Sequence, residues 1–192
     1  MAKYTSFVLL GLLLAITVAC DRPVPPAADS AKGAYNLHGY LQQQIQRLQQ
    51  EQSMVLKSVK TKDKPVETVE TARVDWEEEL AMFQDLDLNK PTLQEYYSRT
   101  DSTLTDGSTF IRYDRQPDAE APVQHLYLRI SPSKHLQQLQ ALVQDQNVLF
   151  FTRRQLQITA NPANGNLSGY SVDGTQKLIF GDTLNYRVDV NL

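Results

Sequence analysis

Cysteine occurs once in the chain, at Cys20, so neither a disulfide framework nor a zinc site built on paired CxxC ligands is available. Glycine is scarce at 8 of 192 residues, which excludes a collagen-like repeat. Neither sign of charge dominates: 19 cationic and 22 anionic side chains leave a formal net charge of −3. That balance argues against a nucleic-acid footprint. The chain is too hydrophobic, at 41%, for a disordered tract, and too charged, at 21%, for a multi-span membrane protein. Its length suits one domain with a tail rather than two full domains.

What is present begins with an address. Lys3 precedes an uncharged run from Phe7 to Ala19, shorter than the roughly 20 residues a spanning helix needs. The run closes on Thr17-Val18-Ala19-Cys20, which resembles the lipobox of bacterial lipoproteins, with Thr17 where that pattern usually has leucine. The resemblance implies a signal peptide over residues 1–19, cleavage before Cys20, and acyl chains on the Cys20 sulfur and the new amino group. Attachment to the membrane would then be covalent. Residues 20–33 are rich in proline, small residues and charges, with nothing to bury, and read as a flexible tether. Asp21 resembles the inner-membrane retention signal of enteric bacteria, a rule other Gram-negative groups do not follow, so inner and outer membrane both stay open.

Residues 34–192 read as a single α+β domain. Leu37, Leu41, Ile45 and Leu48 recur at helical spacing within 36–52, with Asn36 as N-cap and Gln42, Gln43, Gln46, Gln49 and Gln50 opposite. The apolar stripe is too short for a coiled coil. A hairpin follows, with strands at 54–60 and 66–71 around the turn 62–65. Residues 74–85 read as a second, short helix: Asp75 and Glu78 form a capping-box-like start, and Trp76, Leu80 and Phe83 share a face.

Thereafter turn chemistry dictates an antiparallel meander, for about seven to nine strands in all. Strands at 96–102 and 109–113 flank Thr105-Asp106-Gly107-Ser108. Strands are also predicted over 123–131, 148–160, 169–180 and 183–190, with turns at Asn164-Gly165 and Gly181-Asp182. Residues 136–143 fit a helix through Leu136, Leu139, Leu142 and Val143, and fit a strand through Leu139, Ala141 and Val143; strand neighbours on both sides favour the strand. Asp173-Gly174 is read as a second tight turn or a bulge. The sheet is open to being strongly curved or a half-barrel.

The lipobox, the tether, Leu37-His38-Gly39-Tyr40-Leu41, the helix start at 74–80, Asp87-Leu88-Asn89-Lys90-Pro91 and Gln176-Lys177-Leu178-Ile179-Phe180 together resemble a group of cell-envelope lipoproteins of Gram-negative bacteria with no assigned activity. The resemblance spans nearly the whole mature chain. It implies residence in the envelope, in the periplasm or at the cell surface.

Motifs of catalysis are thin. His38, His125 and His135 have no paired ligand spacing, and Asp85-Leu86-Asp87-Leu88-Asn89 begins like a calcium loop but has Lys90 and Tyr96 at the sixth and twelfth positions. A helix end leading into Pro91 explains it better. No nucleophile elbow and no phosphate-cradling glycine loop occur, and Glu77-Glu78-Glu79 suits the first turn of a helix. No catalytic residue, metal or cofactor is assigned. Three functions follow in order. The first is a non-catalytic binding or assembly module of the envelope, with an unidentified protein or ligand as partner. The second is a carrier of apolar ligands, because the element order is similar to the half-barrel of lipoprotein-localisation carriers and receptors; Leu41, Trp76, Leu80 and Phe83 would line its chamber. The third is an enzyme with a site on a strand face, around His125, Tyr127 and Arg129, which share one side of their strand.

Overall fold

The computed structural model describes residues 33–62 and 64–192. The expected signal peptide, Cys20 and the tether up to residue 32 lie outside the described residues. The chain forms helix α1 (Leu37–Glu51), strands β1 (Val55–Thr61) and β2 (Glu67–Thr71), and helix α2 (Trp76–Gln84). A single 3₁₀ turn (Gln94–Tyr96) then leads into β3 (Tyr97–Thr103), β4 (Thr109–Arg115), β5 (Val123–Ile130), β6 (Leu136–Gln146), β7 (Phe150–Ala160), β8 (Leu167–Leu178) and β9 (Thr183–Asn191). All nine strands join one antiparallel sheet in the order β2-β1-β9-β8-β7-β6-β5-β4-β3. The α+β meander expected from turn chemistry is therefore present, and its edges, β2 and β3, leave the sheet open rather than closed into a barrel. No helix among the described residues is long and apolar enough to cross a membrane.

The helices begin where their capping residues place them. Asn36 accepts a hydrogen bond from Gly39 N at 3.0 Å, and Asp75 accepts from Glu77 N and Glu78 N at 3.1 and 3.2 Å. Both helices cover one face of the sheet. Along that face Ile111, Leu128, Leu139, Ile158, Tyr170 and Val190 stand opposite one another across six strands. Against them pack Leu37, Leu41, Ile45 and Leu48 from α1 and Trp76, Leu80 and Phe83 from α2. Phe83 meets Tyr170 edge-on, with centroids 5.5 Å apart at 75°, a geometry worth about 0.5–1.5 kcal/mol beyond area burial. Glu79 on α2 accepts from the Tyr170 hydroxyl and from Lys57 Nζ at 2.7 Å, which ties the helix to β8 and β1. Burial and that carboxylate push the Tyr170 hydroxyl well above the usual tyrosine range.

Three irregularities decide which residues face the helices. A register shift between Val123 and His125 keeps Val123 inside and turns His125 outward. A second, between Arg129 and Ile130, puts Leu136 on the same side as Leu139. That explains the helical look of residues 136–143: the bulge, not a helix, brings Leu136 into the apolar set, and Leu142 faces outward. The third lies between Thr159 and Ala160.

One expectation needs correction. Asp173-Gly174 is neither a turn nor a bulge, because β8 pairs without interruption from Gly169 to Lys177 with β9. Gly174 lets the Tyr186 ring lie against the strand, where it occupies the place a Cβ would take. The strand expected from Val148 starts at Phe150, leaving Val148 and Leu149 in the preceding turn, and the strand expected to reach Phe180 ends at Leu178.

Candidate functional site: the outer sheet face

The face turned away from the helices is polar and carries no covering element among the described residues. Its central row runs Arg112, Tyr127, Gln140, Gln157, Ser171 and Asp189, each opposite the next across β4 to β9. A parallel row places Asp114, His125, Leu142, Gln155, Asp173 and Arg187 in register. Alternation does this: from His125 onward the odd residues of β5 face outward because Leu126, Leu128 and Ile130 must be buried.

At the β4–β5 side the rings of Phe110, Tyr127 and His125 form a ladder. Phe110 and Tyr127 stack at 5.8 Å and 24°, and Tyr127 and His125 at 6.0 Å and 11°. The Arg112 guanidinium lies over Tyr127 at 5.5 Å. His125 Nδ1 is 2.6 Å from Asp114, which also accepts from Arg112. Burial draws the Asp114 carboxyl upward, and the hydrogen bonds from Arg112 and His125 outweigh it, so its pKa sits below the usual aspartate value. At the far end of β5, Arg129 donates to Ser108 Oγ at 3.2 Å and to Asp106 at 2.5 Å. Hydrogen bonds from the Ser108 hydroxyl and amide, then from Arg129, lower the Asp106 pKa to about 2.

The structure thus places His125, Tyr127 and Arg129 on one face, as their spacing requires, and shows what occupies each. A sequence signal for their partners was present but unread: within strands, Arg-x-Asp occurs at Arg99/Asp101, Arg112/Asp114 and Arg187/Asp189. On a strand this spacing puts both residues on one side. All three pairs are closed by two hydrogen bonds apiece. Of these, Arg112 and Arg187 lie on the outer face and have their charge met from within the chain, whereas Arg99 stands opposite Tyr113 on the helix side.

A furrow follows the central row. Two hollows of about 320 and 360 Å³ meet at Tyr127 and Gln140, and a third of about 440 Å³ continues past Gln157, Ser171 and Arg187. Its polar lining is mainly amide and hydroxyl: Gln138, Gln140, Gln155, Gln157 and Ser171. Leu41, Trp76, Leu80 and Phe83, named as lining of an apolar chamber, are each 2% exposed or less and belong to the core; none of them lines the furrow.

Chemically the face suits recognition. His125 and Asp114 make a pair, but no serine, threonine or cysteine completes it with a hydrogen bond to His125 among the described residues. Nor do three His, Cys, Asp or Glu side chains gather as a metal site there. The calcium-like segment 85–89 is a helix end. Asp87 accepts from Asn89 N at 3.2 Å, Asn89 Nδ2 donates to Tyr35 O at 2.9 Å, and Leu86 and Leu88 are buried. His38 is exposed on α1, and His135 lies in the β5–β6 turn beside Gly165. Comparison with known proteins adds no relative: no family model matches the chain, and neither does any curated protein or solved structure.

Proposed function

We propose that the chain is a lipid-anchored, non-catalytic binding or assembly module of the bacterial cell envelope, of the kind its lipobox resemblance implies. Cys20 carries the acyl chains, and the outer sheet face is the binding surface. The observation that supports this most is the contrast between the two faces. One is closed by helices over a filled apolar interior, and the other is bare, furrowed and lined by hydrogen-bonding groups. Because its arginines and aspartates neutralise one another, the furrow favours an uncharged ligand rich in hydroxyl and amide groups. A carrier of apolar ligands would need Leu41, Trp76, Leu80 and Phe83 to part, and their packing supports the outer-face reading instead.

Two measurements test the proposal. Cells fed an alkyne fatty acid should label the wild-type chain and not Cys20→Ser; an unlabelled wild-type chain overturns the anchor. The full chain titrated with N-acetylglucosamine oligomers, chosen as neutral amide- and hydroxyl-bearing probes, should shift amide resonances of β5 to β8. Tyr127→Ala and Gln157→Ala should each weaken that binding about tenfold, the loss of roughly one good contact. Shifts confined to other surfaces would remove the furrow as the binding site.

A further inference from the structure

The three most exposed large apolar side chains, Phe180, Val148 and Leu149, lie on two neighbouring turns at one end of the sheet, with Ile179 beside them. Val148 and Leu149 connect β6 to β7 and are 87% and 61% exposed; Ile179 and Phe180 connect β8 to β9 and are 56% and 96% exposed. Turns are ordinarily built from Asn, Asp, Gly and Ser, and here such residues do make the bends. Asn147 Oδ1 accepts from Leu149 N at 2.7 Å and Phe150 N at 3.0 Å, and Gly181 N donates to Leu178 O at 3.3 Å. The apolar side chains have no part in closing the turns and stand out from them. Ile179 N donates to Leu149 O at 2.9 Å, which joins the two turns into one tip.

The same end is cationic. Lys62 N bonds Asn185 O, so the β1–β2 turn lies beside the start of β9. The described residues of the segments that meet here include Lys60, Lys62, Lys64, Arg153, Arg154 and Lys177 against Glu67, Asp145 and Asp182, although the chain as a whole is acidic. Arg153, Arg154 and Lys177 make no ion pair among the described residues.

We propose that this end is a membrane-docking tip. Val148, Leu149, Ile179 and Phe180 enter the acyl boundary of an anionic bilayer, and the surrounding lysines and arginines meet its phosphates. Three features select a bilayer as the occupant. The apolar groups protrude on turns rather than line a concavity, which matches the shallow depth at which interfacial residues insert. The rim has the sign that anionic headgroups attract. A second copy docked tip to tip would bring like charges together. The proposal stands whether or not Cys20 is acylated.

The test reads the tip locally, because the apolar segment 7–19 could itself carry the full chain to a vesicle. In a full-length Cys20→Ser background, Phe180→Cys holds the sole thiol and takes a polarity-sensitive dye. With vesicles of phosphatidylcholine and phosphatidylglycerol its emission should shift to the blue and be quenched by nitroxides on the acyl chains. Phosphatidylcholine alone, or high salt, should weaken the shift. Val148→Asp with Leu149→Asp should reduce it about tenfold or more, and Arg153→Glu with Lys177→Glu should reduce it on anionic vesicles only. A dye on Ala163→Cys, in the β7–β8 turn at the opposite end, should stay water-like. A water-like signal from position 180 on anionic vesicles overturns the proposal. So does an equal shift at position 163, or a shift without vesicles that grows with protein concentration, which would assign the tip to a second copy.

Discussion

Replacing Gln44 by methionine sets two bookkeepings against each other. Gln44 is 5% exposed on the inward side of α1. Its Oε1 accepts from the buried Leu167 N at 2.9 Å and from Arg47 Nε at 3.2 Å. By area alone Gln44→Met gains: methionine has nearly the same helix propensity and puts more apolar surface into the core, for about 1 kcal/mol. By hydrogen bonding it loses. Arg47 retains Glu51 and the Leu167 carbonyl, but the Leu167 N–H loses its side-chain acceptor, and orphaning a buried donor costs about 1–3 kcal/mol. At its central value of about 2 kcal/mol the second effect is the larger, so Gln44→Met should be less stable than the parent by about 1 kcal/mol. Gln44→Glu keeps an acceptor with Arg47 as counter-charge and should lose less. Urea denaturation of the full chains decides it, since an unchanged slope with a lower midpoint reports stability alone. A methionine variant as stable as the parent would refute the reasoning and leave the interface governed by burial.

Two further outcomes follow from the sheet. Gly169→Ala should cost more than Gly174→Ala, because the new Cβ at 169 meets the Val190 carbonyl at 2.7 Å, whereas at 174 it meets only the movable end of Tyr186. Comparable melting temperatures would show that the backbone can yield at 169. Asp106 and Asp114 both have lowered pKa values, so each favours the folded state above its unfolded pKa, and that contribution disappears as pH falls. For Asp106 the window runs from 3.8 to about 2. Asp106→Asn should therefore flatten the acid limb of stability between these values and Asp114→Asn should flatten it as pH falls below the unfolded aspartate pKa, both leaving neutral-pH slopes alone, and an unchanged acid limb would count against the pairing concerned.

Much of the architecture was legible because it rests on local chemistry. Asn36 and Asp75 cap helices wherever an amphipathic run follows them, and Gly107 and Gly165 take positive φ in the turns where they were expected. Alternation identified β5 because one of its faces is buried and the other is not. Misreadings arose where a residue answers to a distant partner. Gly174 signals a turn by composition, yet it serves the Tyr186 ring on the next strand. Gln44 does not belong to the solvent-facing glutamine set, and its inward turn to a backbone N–H far along the chain has no local signal. The candidate site divided in the same way. The shared face of His125, Tyr127 and Arg129 follows from period two, while Asp114 opposite His125 depends on the β4–β5 register, which no composition announces.

The seam between β1 and β9 carries a consequence of another kind. Leu56 pairs with Asn191 and Thr61 with Tyr186, so the earliest strand is stitched to the latest, and β2 reaches the sheet only through β1. A two-stranded ribbon alone is marginal in water, and closing so large a loop is slow. During emergence from a ribosome or passage through a translocation pore, the opening hairpin must wait, unhoused, until the final stretch arrives. Cooperativity is thereby imposed by chronology: a chain clipped near its end forfeits its beginning as well.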